Sequence, residues 1–229
     1  MGYTHYWERP FAIDIDDFRT IRADFERLIL PLNDIGVALA GPSGKDMPII
    51  TDELIAFNGL ANCGHAKNDE IVIPYPAADA SGIGSSATAI DEEASDFLVR
   101  IRHRCCNGRC SCEAFSFARV LRAEHAFQNK DSGLFVEGLK TAFRPYDIGA
   151  TAFLLIAKRF LGDRLQVFSD GADTQWTDAK RLCQSVLGYG EWFGIVEEKV
   201  EEDEPAADGV AQKRKVTLRK LVGTAGITV

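Results

Sequence analysis

The sequence predicts an α+β fold: one domain, a mostly antiparallel sheet, about three helices packed on it, and a disordered C-terminal tail. Three observations lead there. Strand-like and helix-like stretches follow one another roughly as βαβββ, then βββαβα. Most links between strand candidates are too short for the helical crossovers that parallel strands require. The chain has 229 residues, 46% hydrophobic and 26% charged, which suits a globular domain with a real core. The expected division is a globular body over residues 1–196, with cysteine-containing loops across 60–112, and a flexible charged tail over 197–229.

Tyr3 to Glu8 is aromatic and alternating, a strand with Tyr3, His5 and Trp7 on one face. Asp14 starts a helix in which Phe18, Ile21, Phe25, Leu28 and Ile29 recur at helical spacing, and Pro31 and Gly36 are expected to end it. Val37–Leu39 reads as a short strand, Gly41 to Gly44 as a turn, and Ile49 to Phe57 as one or two strands closing at an Asn58-Gly59 turn. Residues 60–96 read as loop around a short strand at Ile71–Ile73. Phe97–Arg104, Glu113–Val120 and Leu134–Ala142 are further strand candidates. Pro145 to Leu161 reads as a helix with proline near its start and Gly162 beyond its end. Leu165–Phe168 is a short strand. Thr174 to Leu187 is a helix with Trp176, Ala179, Leu182, Cys183 and Val186 on its apolar face and Gly188 as its stop.

A formal net charge of -8 repels a phosphate backbone, so non-specific nucleic-acid binding is not expected. The longest apolar run, Ile148 to Ala157, is about half a membrane span. No basic-then-apolar leader opens the chain, and Tyr6 stands where a myristoylation motif wants Ser or Thr, so a cytoplasmic protein is expected. After residue 196 the composition changes: Glu197 to Glu204 holds six acids, and a basic block follows from Lys213.

Six cysteines in a reducing compartment point to metal or thiol chemistry before disulfides. Cys105 to Cys112 contains an Asn107-Gly108 turn between thiols, which is how knuckles bring ligands to a tetrahedral zinc. Cys63-Gly64-His65 offers a second pair, so the expected ligands of a structural zinc are Cys63, His65, Cys106 and Cys110. Cys105 and Cys112 compete for places and His103 is a spare. Free loop thiols and an arginine-activated redox switch are the other readings. Cys183 reads as an inert core thiol.

Lys140 to Asp147 joins a strand to a helix start and carries Lys140, Arg144, Tyr146 and Asp147. Such a corner can hold an anion, or Asp147 can simply cap the helix. Ser169-Asp170-Gly171 also lies between strand and helix, where Asp170 makes a metal ligand, a base or a turn residue. No Walker loop, GxGxxG, HExxH or GxSxG is present, and no Ser/His/Asp triad is evident.

Met1 to Trp7, Phe57-Asn58-Gly59, Glu113-Ala114-Phe115, Lys140 to Asp147, and Ser169-Asp170-Gly171 followed by Trp176 form a distinctive set. Together they resemble a family of uncharacterised proteins of bacteriophages and bacterial genomes, over roughly residues 1–190. The resemblance implies a mobile-element context without importing an activity. If the matched motifs converge, they form a ligand-binding pocket of His5, Trp7, Asn58, Glu113, Lys140, Arg144, Tyr146, Asp147 and Asp170. The expected function is a phage-type binding protein for a host protein or a small anionic ligand. The alternatives are a metal-dependent hydrolase or nuclease-like enzyme, and a zinc-stapled structural protein.

Overall fold

A computed structural model describes residues 3–67, 70–72, 103–204 and 212–223. The α+β expectation holds, and every strand pair is antiparallel. The first strand, β1 (Thr4–Arg9), takes its place from the alternation already visible in sequence: His5, Trp7 and Arg9 are buried. Next comes α1 (Ile15–Asp34), capped by the Asp14 carboxylate accepting from the Asp16 and Asp17 N–H groups. Phe18, Ile21, Phe25, Leu28 and Leu32 form its buried stripe. Pro31 does not end α1. It removes one N–H in the last turn, and Leu28 and Leu32, buried on either side, keep the helix on the core.

The strands β2 (Leu39–Ala40), β3 (Ile49–Ile50) and β4 (Leu54–Gly59) follow. Asn58 and Gly59 therefore lie inside a strand, opposite Ala40 and Leu39, and not in a turn. A two-stranded ladder pairs β5 (Glu70–Val72) with β6 (His103–Cys105). The remaining part of the Phe97–Arg104 strand candidate lies outside the described residues. Then come β7 (Phe115–Ala118), β8 (Phe127–Gln128), β9 (Phe135–Lys140), α2 (Asp147–Leu161), β10 (Gln166–Ser169) and α3 (Thr177–Leu187). Gly188, at φ +79°, closes α3 in the left-handed conformation that glycine adopts without penalty.

The chain ends in a hairpin of β11 (Phe193–Glu204) and β12 (Gln212–Gly223). This corrects the flexible tail expected from residue 197. The two blocks of opposite charge are the two sides of one ladder: Glu197 faces Arg219, Glu201 faces Lys215 and Asp203 faces Lys213. Glu197 and Arg219 meet at 2.9 Å, and Arg219 also donates to the Asp170 carbonyl. Phe193, Ile195 and Leu221 anchor the hairpin in the core. Residues 224–229 lie outside the described ones.

The main sheet runs β11-β12-β10-β1-β9-β8, and a smaller sheet joins β2, β3 and β7 to β4. The two are bridged by an aromatic core. Phe153 of α2 meets Phe25, Phe115 and Phe117 at ring separations of 4.9–5.3 Å, and Trp7 lies 5.6 Å from Phe115. The long apolar run of the sequence is α2, buried along nearly its whole length among α1, α3 and β10. Among the described residues no helix is long and apolar enough to cross a membrane.

Candidate metal centre and its supporting corner

The two turns expected to carry ligands are built as the chemistry requires. Asn107 and Gly108 take φ +51° and +83°, and the Arg109 N–H closes on the Cys106 carbonyl at 3.0 Å. Gly64 takes φ +79° between Cys63 and His65. The strands β5 and β6 draw the loops together, and the Cys110 N–H donates to the Leu60 carbonyl at 2.9 Å.

All four expected ligands converge: Cys63, His65, Cys106 and Cys110 offer ligand atoms within 4.8 Å of one another. Cys63 Sγ and Cys106 Sγ are 3.7 Å apart, and Cys110 Sγ and His65 Nδ1 are 3.5 Å apart. A tetrahedral ion with bonds of about 2.3 Å to sulfur and about 2.1 Å to nitrogen requires edges of about 3.8 Å and about 3.6 Å. The residues therefore fit one tetrahedral metal ion. Cys112 stands outside this group, and the side chains of Cys105 and His103 are outside the described ones.

The thiols divide electrostatically. Burial opposes ionisation of Cys63, but the His65 backbone N–H and its neighbours Cys106, Cys110 and the His65 ring bring it down to about 7. Burial pushes Cys106 up, and burial with the adjacent Cys63 sulfur pushes Cys110 well above the usual thiol range. Three sulfurs packed this closely carry three negative charges together only around a cation.

Gly59 sets how near the knuckle lies to β4: a Cβ there would stand 2.1 Å from the Cys110 carbonyl oxygen. Gly59→Ala is therefore expected to push Cys110 out of the tetrahedron. Cobalt titration would show this as a weakened thiolate-to-metal absorption and affinity lowered by about tenfold or more, the scale at which supporting residues act on metal sites. An unchanged cobalt spectrum and affinity would disprove it.

The nine residues expected to form a pocket fall into separate hydrogen-bonded sets. One supports the knuckle. Asn58 Nδ2 donates to the Pro42 and Cys112 carbonyls, and its Oδ1 accepts from the Gly59 and Cys112 N–H groups. Arg144 Nη1 donates to the Arg109 carbonyl, and the buried Tyr146 hydroxyl donates to the Glu113 carbonyl at 2.7 Å. Glu113 Oε2 accepts from the Lys140 backbone N–H at 2.8 Å, while the Lys140 side chain is exposed. The corner from Lys140 to Asp147 thus ties α2 to the metal loops.

A second set is fully interior. His5 Nε2 donates to Asp147 Oδ1 at 2.8 Å, and Thr141 Oγ1 donates to the same oxygen at 2.6 Å. Asp147 makes no side-chain cap on α2, which corrects the capping expectation; its buried carboxylate sits at the positive end of that helix instead. His5 Nδ1 lies 3.0 Å from Ser169 Oγ, which also accepts from the Gly171 N–H and, at 3.4 Å, from Trp176 Nε1. The Ser169 hydroxyl thus has the His5 ring, the Gly171 N–H and the Trp176 indole as its partners, and its bonding capacity is taken up inside the protein. The Ser169–His5–Asp147 line has the connectivity of a nucleophile relay, but Ser169 is only 6% exposed and its oxygen is committed, so it is an internal lock. Ala142 and Phe143, at φ +52° and +54°, form the turn that delivers Thr141 and Asp147. Each costs about 1–2 kcal/mol as a non-glycine left-handed residue. Tyr3 holds this turn through its carbonyl and ring, and the Arg104 guanidinium lies 3.7 Å over Phe143.

Trp7 and Asp170 belong to neither set. Trp7 Nε1 donates to Glu137, and Asp170 Oδ2 accepts from the Thr4 N–H. The sequence reading held Ser169 and Thr141 only as members of motifs, without a role, and missed Arg9 and Glu137. Arg9 carried a signal, since the alternation of Tyr3, His5 and Trp7 continues to it.

Comparison of the chain with protein-family models, with curated proteins and with solved structures returned no match.

Proposed function

We propose that this chain is a zinc-stapled, non-enzymatic binding protein. The single observation carrying the zinc is the Cys63, His65, Cys106 and Cys110 tetrahedron, whose 3.7 Å and 3.5 Å edges suit one ion. Thiolate-rich tetrahedral coordination favours zinc, and four protein ligands leave no open position for substrate or catalytic water. The staple joins the end of β4, the β5–β6 ladder and, through Arg144 and Tyr146, the start of α2. Its role is to hold a rigid surface for a host protein or a small anionic ligand, in keeping with motifs that resemble phage and bacterial proteins.

The metal-dependent hydrolase alternative has less support. Glu113, Asp147 and Asp170 serve three different hydrogen-bond sets and share no metal-ligand cluster among the described residues. Native mass spectrometry with elemental analysis tests the proposal. One zinc per chain, lost in Cys110→Ser, is expected. A metal-free protein or an iron–sulfur cluster would overturn the staple, and metal-dependent turnover would overturn the non-enzymatic role.

A further inference from the structure

Among the described residues, the helices cover one side of the main sheet, the side of His5, Trp7, Val167 and Leu221. On the other side the register sets Tyr6 beside Phe168, and Phe168 beside Lys220, with Glu8 beside Gln166 one step along. A wide, open groove of about 740 Å³ lies on this face, with Glu8, Gln166, Phe168, Leu218 and Lys220 among its lining residues. That volume is in the range of small-molecule sites.

The polar groups of the groove are built rather than incidental. Glu8 is fixed by Asn129 Nδ2 at 2.8 Å and Ser132 Oγ at 2.7 Å, one donor on each oxygen. Gln166 Nε2 donates to the Asp163 carbonyl at 2.8 Å, which sets the direction of the amide. Among the described residues Gln166 Oε1 is left buried without a hydrogen-bond partner. A buried acceptor in that state is satisfied by a ligand that brings an N–H. Phe168 supplies a ring face, and Lys220 Nζ lies 5.9 Å from its centroid, so a cation stands beside the stacking surface.

We propose that this groove binds a nucleoside monophosphate whose base carries an exocyclic amine. The base stacks on Phe168 against Leu218, its amine donates to Gln166 Oε1 and Glu8, and Lys220 pairs with the phosphate. A single mononucleotide suits the groove better than a polynucleotide, which the net charge of -8 repels. The inference rests on the reading of the chain as a binding protein and names its small anionic ligand. It does not depend on the zinc centre.

The test is calorimetric titration of the full, metal-loaded chain with AMP, CMP, UMP, adenosine and inorganic phosphate, with zinc content measured on the same sample. AMP and CMP are expected to bind more tightly than UMP, and phosphate alone weakly. Lys220→Gln should weaken AMP by about tenfold while leaving adenosine unchanged. Gln166→Leu should remove the preference for AMP over UMP. Melting curves of both variants separate a lost contact from a lost fold. No nucleotide binding by the folded, zinc-loaded protein would overturn the inference while leaving the staple intact. Binding that neither substitution alters would place the nucleotide elsewhere and overturn it equally. Conversion of AMP would instead overturn the non-enzymatic reading.

Discussion

Removing the metal with a high-affinity chelator is expected to lower the thermal midpoint by roughly 10–20 °C, or to unfold the protein outright at room temperature. Structural zinc contributes about 10–16 kcal/mol of apparent binding energy in small zinc domains near neutral pH. Whole domains are stable by only about 5–15 kcal/mol. If about 5 kcal/mol reaches the global equilibrium, a chain of this size loses about 2–4 °C for each kcal/mol. The contacts supply the coupling: the Cys110 N–H donates to the Leu60 carbonyl just past β4, and Arg144 and Tyr146 connect the knuckle to the buried helix α2. Cys106→Ser should reproduce the loss, because it deletes a fully buried ligand. Cys112→Ser should keep the metal and most of the stability, because Cys112 is outside the ligand group. Differential scanning calorimetry with and without chelator decides the matter. An unchanged midpoint, or equal effects of the two substitutions, would show that the metal is not a staple.

Local signals in the sequence made the candidate metal-ligand cluster legible. Asn107-Gly108 and Gly64 are turn residues placed between thiols or beside one, and a turn is what shortens the distance between ligands close in sequence. Helical periodicity did the same for α1 and α3, where the apolar spacing matches the buried stripes, and proline near the start and glycine past the end did it for α2. Features that depend on pairing distant segments stayed hidden. His5 finds Ser169 only because β1 lies beside β10, and it finds Asp147 only because α2 begins beneath both. Two charged blocks look alike in sequence whether they are solvated or form one ladder; the register of β11 against β12 distinguishes the cases. Asn58-Gly59 carries a strong turn signal, but here the side chain brackets the knuckle and the missing Cβ admits the Cys110 carbonyl. The same residue types serve a different need.

Glu137→Ala is expected to cost about 3–5 kcal/mol, the usual result of removing one partner of a buried ion pair. Arg9 is wholly buried, and burial pulls its affinity for a proton below the ordinary arginine value while Glu137 works the other way. Its Nε donates to Glu137 Oε2 at 2.6 Å, the oxygen that also accepts from Trp7 Nε1 at 3.0 Å. Among the described residues Arg9 Nη1 and Nη2 have no hydrogen-bond partner, and the guanidinium lies 4.4 Å over the Phe117 ring. The pair is therefore incompletely satisfied. Taking away Glu137 leaves a desolvated cation with only an aromatic face beside it, and it strands the indole N–H as well. Taking away the cation has the opposite balance. Arg9→Met keeps the packing on Phe117, lifts the desolvation penalty and leaves Glu137, a quarter exposed, still bonded to Trp7. It is expected to be neutral or stabilising by about 1 kcal/mol. The double variant Arg9→Met/Glu137→Ala should then recover most of the loss. Urea denaturation of the three variants closes this cycle. A cost below about 1 kcal/mol for Glu137→Ala would refute the assignment, as would a strongly destabilising Arg9→Met. The first result would mean that the Arg9 cation is not stranded when Glu137 is removed, and the second that the pair stabilises the core under β1 despite its orphaned donors.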